Sequence, residues 1–168
     1  MDIKTFPVYY QAYIAKVPKG DPILLLEHGV KETLKTLAMV SEEKANWAYA
    51  EGKWSIKDIV QHIIDTERIL CFRALSFARG EKAKINGYDH DAYVDEAHGS
   101  SRSLKDLLEE LNRLRASTID LFKSLTPEML ARTGNANGTD FKAEQFLYII
   151  LGHEIHHMEV VQERYLNV

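Results

Sequence analysis

The sequence predicts an all-α chain folded as an antiparallel four-helix bundle, and three observations predict it. Four long segments carry apolar residues at the three- and four-residue spacing of a helix that buries one face. A helix-start signal stands before each of them. No stretch alternates apolar and polar residues in the manner of a half-buried strand. The length of 168 residues suits a single domain over residues 1–168, with no linker, repeat or low-complexity segment to divide it.

Residues 1–20 are rich in aromatics, Phe6, Tyr9, Tyr10 and Tyr13, and are interrupted by Pro7 and Pro18, as expected of a short helix or arm laid on the body. Asp21-Pro22 then pairs a capping acid with a proline at the first helical position, where its missing N–H is no loss. The first long helix runs from there to about Val40, burying Ile23, Leu26, Val30, Leu34 and Leu37 and leaving His28 exposed or capping. Residues 41–53 are a connection.

Ser55 and Asp58 have capping-box spacing, so the second long helix runs to about Arg79. Its apolar stripe holds Ile56, Val60, Ile63, Leu70, Cys71 and Ala74, with Glu67 near the middle. A buried carboxylate without a partner is expensive, which predicts a metal-bound water, a histidine or an arginine beside Glu67. His62 lies about 120° from the stripe centre, and periodicity alone does not select it.

Residues 81–101 are polar and irregular and read as a loop covering the mouth of a site. Asp89, His90 and Asp91 within it lack the glycine and glutamate spacing of a calcium loop. Ser103 with Asp106 opens a third long helix to about Leu125, whose leucine-rich face is structural. Thr126-Pro127-Glu128 begins a short helical turn, residues 133–138 read as a loop, and Thr139 or Asp140 caps a last helix from Phe141 to about Tyr165.

Composition removes several function classes. A net charge of -4 makes no electrostatic case for a nucleic-acid partner. Neither a signal-peptide pattern nor a membrane-spanning run is present, so a cytoplasmic location is expected. Cys71, the single cysteine, cannot form an internal disulfide and is expected to be a small core residue.

The chemistry concentrates in the last helix, at Gly152-His153-Glu154-Ile155-His156-His157-Met158. Residues four apart project from one helix face, so His153 and His157 can address one common atom. Both fall within about 20° of Phe146 on the wheel, on the side turned to the interior. His156 falls at the margin of that stripe, at the rim. Two imidazoles buried without partners would be costly, and a metal ion offsets that loss.

The same string matches HExxH, the zinc-protease pattern with a glutamate base. The extended form would place a glycine at position 160 and a histidine at 163, where the chain has Val160 and Glu163. Glu154 and His157 also form an ExxH pair, but Ile59 stands where a second pair with His62 would need its glutamate. Both the protease and the di-iron layouts are therefore disfavoured. A third ligand must come from upstream.

Gly52-Lys53-Trp54-Ser55-Ile56-Lys57-Asp58-Ile59-Val60-Gln61-His62, followed by Asp65 and Glu67, resembles the first histidine motif of the DinB superfamily, including its YfiT-like members. The closing Gly152 to His157 string is similar to that family's last motif, and Tyr10 to Val17 also looks familial. The resemblance covers nearly the whole chain. It implies a four-helix bundle in which His62, His153 and His157 bind one divalent metal, most simply zinc or nickel. It also implies a homodimer, and either a metal-dependent hydrolase or transfer of a low-molecular-weight thiol such as bacillithiol to a small electrophile. Three neutral imidazoles leave a coordination position open, as a catalytic site requires. In that reading Glu67 and Glu154 orient ligands or move protons. A non-enzymatic small-ligand or stress-response protein, and a structural metal tying two helices, are the alternatives.

Overall fold

The computed structural model describes residues 2–167. Four helices form the bundle: α2 (Pro22–Leu37), α4 (Ile56–Ala78), α6 (Leu104–Lys123) and α8 (Ala143–Val161). Shorter helices join them: α1 (Val8–Ile14), α3 (Glu42–Asn46), α5 (His90–Ala97) and α7 (Pro127–Leu130). Helices α2 and α4 each pack on α6 and α8, which places α2 opposite α4 in cross-section.

The start signals expected for α2, α4 and α6 operate as capping. Asp21 accepts hydrogen bonds from the Ile23 and Leu24 N–H groups, and Ser103 accepts one from Asp106. Ser55 and Asp58 cap each other's backbone reciprocally. Each such cap satisfies helix-end donors that would otherwise be unpaired, at about 1 kcal/mol apiece.

The apolar core falls into two layers. One is built on Leu70, Phe77, Phe146 and Ile150, the other on Ile59, Ile63, Leu107 and Leu111. Along α4, α6 and α8 the residues between these layers are polar and buried: Glu67, Arg115, Thr118 and Glu154. The bundle thus carries a charged layer inside an apolar core.

Two connections differ from the sequence reading. Residues 133–138, expected to be a loop, and Thr139 to Phe141, expected to cap and begin the last helix, instead belong to an antiparallel hairpin, β1 (Thr133–Ala136) with β2 (Thr139–Lys142). Neither Thr139 nor Asp140 caps α8, because cross-strand pairing holds 139–142 extended; its N-cap is Lys142, whose backbone N–H donates to Gln145 Oε1. Its turn, Asn137-Gly138, has φ of 51° and 77° at the two residues, the left-handed pair that an Asn-Gly hairpin turn uses. Four-residue strands are too short to display a period of two, so only that dipeptide announced them. The segment 81–101, expected to be irregular, contains α5 and a 3-10 turn at Gly99–Ser101. Asp89 there accepts hydrogen bonds from the Asp91 and Ala92 N–H groups as the N-cap of α5.

Candidate metal centre

Local structure around the histidines begins with Gly152. A side chain at that position would bring a Cβ within 2.5 Å of the Tyr13 carbonyl oxygen, so glycine is what lets α1 lie against α8. That crossing sets the Tyr13 ring edge-on to His153 and His156, with centroids 6.0 and 5.0 Å apart. On the other side Trp54 stacks near-parallel to His157, at 6.2 Å, and packs on His62 at 4.8 Å. Trp54 is itself pinned, because its carbonyl accepts a hydrogen bond from the buried Tyr165 hydroxyl.

Between these aromatics three imidazoles converge. His153 Nε2 lies 3.0 Å from His62 Nε2 and 3.1 Å from His157 Nε2. One N–H···N hydrogen bond can occupy each nitrogen pair only if a ring carries the proton, and His153 faces two partners with a single Nε2. The spacing has a simpler use. Nitrogens about 2.0–2.1 Å from a common ion sit roughly 2.9 Å apart at right angles and roughly 3.3 Å apart at tetrahedral ones. The donor set therefore fits a divalent cation, and these three form the one such group of histidines, cysteines and acids among the described residues.

Electrostatics favour neutral, ligating rings. Burial lowers the His62 pKa to about 4, with the His90 charge acting in the same direction and Asp91 opposing it. Burial, then His62, His156 and His90, take His157 down to about 3. His153 is lowered further by the same burial and by the surrounding imidazoles. His156, at the rim, is lowered by burial and by Lys16 against the pull of Glu159.

The three rings line a cavity of about 380 Å³. Tyr88 and His90, from the segment expected to cover a site mouth, line it too, as does Tyr10 from the N-terminal arm. So does Arg73, which the sequence reading did not single out although it lies eleven residues from His62 on the same helix.

Glu67 and Glu154 are elsewhere. Both are held by Arg115: its Nε and Nη2 donate to the two Glu67 oxygens at 3.0 and 2.9 Å, and Nη1 donates to Glu154 Oε2 at 2.8 Å and to the Leu26 carbonyl at 3.3 Å. Thr118 donates to Glu67 at 2.6 Å and Thr33 to Glu154 at 2.8 Å. Burial opposes the Arg115 charge, but the Glu154 and Glu67 carboxylates outweigh it and raise its pKa. Neither carboxylate lines the histidine cavity. Among the partners predicted for Glu67, the arginine is the one present. Cys71 packs against the core with its Sγ 3.3 Å from Thr118 Oγ1, and burial pushes its thiol up to about 11.

No helix among the described residues is long and apolar enough to cross a membrane. No curated protein matches the chain. Solved structures do. YfiT from Bacillus subtilis, described as a probable metal-dependent hydrolase with an unusual four-helix bundle topology, superposes with a TM-score of 0.74 at 17% identity, covering 88% of this chain and 92% of that one. A mycothiol-dependent maleylpyruvate isomerase superposes with a TM-score of 0.69 at 16% identity, over 86% of this chain and 61% of the isomerase. At such identities the likeness concerns the fold. The model of the DinB superfamily matches residues 25–161, from α2 to the end of α8, and the chain belongs to that superfamily.

Proposed function

We propose that the chain is a metal-dependent enzyme acting on a small molecule, with His62, His153 and His157 as the ligands of one divalent ion, zinc or nickel. The observation that carries this reading is the convergence of three neutral imidazole Nε2 atoms on one point at the wall of a cavity. A divalent ion bound there supplies Lewis-acid chemistry, lowering the pKa of either water, for hydrolysis, or a low-molecular-weight thiol, for S-transfer. The descriptions of YfiT and of the mycothiol-dependent isomerase support those two chemistries.

The chain's own residues do the rest. His62 from α4 and the His153–His157 pair from α8 approach from two helices, so the cavity side is left to the substrate. Trp54 and Tyr13 flank the rings and restrict water. Glu67 and Glu154, bound to Arg115, act by holding α4 and α8 in the register that brings His62 to His153.

The test is metal analysis of tag-free protein beside the His62→Ala, His153→Ala and His157→Ala variants. About one ion per chain in the wild type, lost in each variant together with hydrolysis or thiol transfer, is the expected result. A wild type that stays empty when zinc and nickel are offered sinks the reading.

A further inference from the structure

We propose that Arg73 anchors a carboxylate on the substrate, so that the cavity takes an elongated small molecule with its reacting group at the histidines and its acid at the other end. This rests on the metal reading only for the histidine end. Residues 62 and 73 are eleven apart on α4, which turns them to within about 20° of each other and separates them by about 16 Å along the axis. Arginine side chains on a helix lean toward its N-terminus, here toward His62. The reach of the side chain leaves a span of roughly 10 Å for a ligand.

Arg73 is an incompletely satisfied cation. It is only 4% exposed, yet its Nε has no hydrogen-bond partner and its polar neighbours are neutral: Nη2 donates a 3.2 Å bond to the Asn86 carbonyl, and the Tyr10 hydroxyl stands beside the guanidinium. Arg115, also buried, has two carboxylates; Arg73 has no ion-pair partner among the described residues. No aspartate or glutamate lines the cavity, so no group of the chain offers it a counter-charge there. A buried guanidinium without an anion is expensive, and a carboxylate meets its planar donors with two parallel bonds. The surroundings suit such a ligand. The guanidinium carbon stands 5.8 Å from the Tyr88 ring centroid, and the Tyr88 hydroxyl lies 3.1 Å from Thr66 Oγ1, one turn of α4 beyond His62. One guanidinium balances one carboxylate, which favours a monoanionic end over a phosphate dianion.

The probes are ω-mercaptohexanoate, its uncharged amide, and ω-hydroxyhexanoate, titrated calorimetrically into zinc-loaded and chelator-stripped full-length protein. Acid against amide reports on Arg73; thiol against alcohol reports on the histidine end. In the wild type the acid is expected to bind roughly tenfold tighter than the amide, with or without metal. In Arg73→Met that preference should vanish while zinc content is unchanged, and Arg73→Lys should keep part of it. Equal binding of acid and amide by the wild type overturns the proposal, and that comparison stands even if a variant fails to fold. So does a preference that survives in Arg73→Met. Loss of the thiol-over-alcohol preference alone would count against the metal reading and leave Arg73 in place.

Discussion

Arg115 Nη1 donates to Glu154 Oε2 at 2.8 Å, one residue along α8 from His153, so the ion pair inside the bundle and the histidine cluster share a single turn of helix. The same guanidinium reaches α4 through Glu67 and α2 through the Leu26 carbonyl, and Thr33 of α2 donates to Glu154. All four bundle helices are tied at one point.

Removing the centre of that layer should be severe. Arg115→Met leaves two carboxylates buried without a cation, and the expected loss of stability is about 3–5 kcal/mol. Urea unfolding of the variant measures it. A loss below about 1 kcal/mol would mean that the two glutamates find other partners.

Acid should weaken the metal-free protein before its carboxylates titrate. The folded-state pKa values of His62 and His157 are lowered from 6.5 to about 4 and about 3. Below pH 6.5 the unfolded chain binds protons at both sites that the folded chain does not, so unfolding free energy rises with pH in this window. Stability is fully present above pH 6.5 and declines as pH falls toward 4, with a slope of about 1–3 kcal/mol per pH unit. Unfolding titrations between those limits should show it, and His62→Gln should flatten the slope.

Cys71 should resist alkylation. With its thiol raised from 9.0 to about 11 by burial, the thiolate fraction at pH 8 falls about a hundredfold. Iodoacetamide labelling of native protein should be slower by at least that factor than labelling in urea. Equal rates would show that the α4–α6 seam opens freely.

Gly152→Ala should displace α1. The new Cβ would stand 2.5 Å from the Tyr13 carbonyl oxygen, and backbone must move to relieve it. Overpacking of this kind costs about 1–3 kcal/mol, and the Tyr13 ring should leave the histidines. A lowered melting temperature with faster solvent exchange in residues 8–14 is expected.

Periodicity was enough to place α2, α4, α6 and α8, and capping announced the starts of the first three, because each of these helices buries a stripe; the start of α8 was set by the hairpin before it. The hairpin at residues 133–142 was not legible as strands, since its pairing is decided across the turn and not along it. His153 and His157 could be read as a pair from their four-residue spacing alone.

His62 is different. A single stripe drawn on α4 left it outside, yet His62 is 6% exposed, because α4 packs on α5, α6 and α8 and buries nearly every residue from Ile56 to Ile64. One-faced periodicity fails for a helix covered on several sides. Local sequence determined the four long helices, the caps of α2, α4 and α6, and the two histidines of α8, all properties of neighbours in the chain. Only the tertiary structure decided that His62 meets them, that Arg115 takes both glutamates, and that Arg73 faces the cavity without an acid. Those relations join residues 39 to 91 positions apart or depend on what is absent nearby, and only packing sets them.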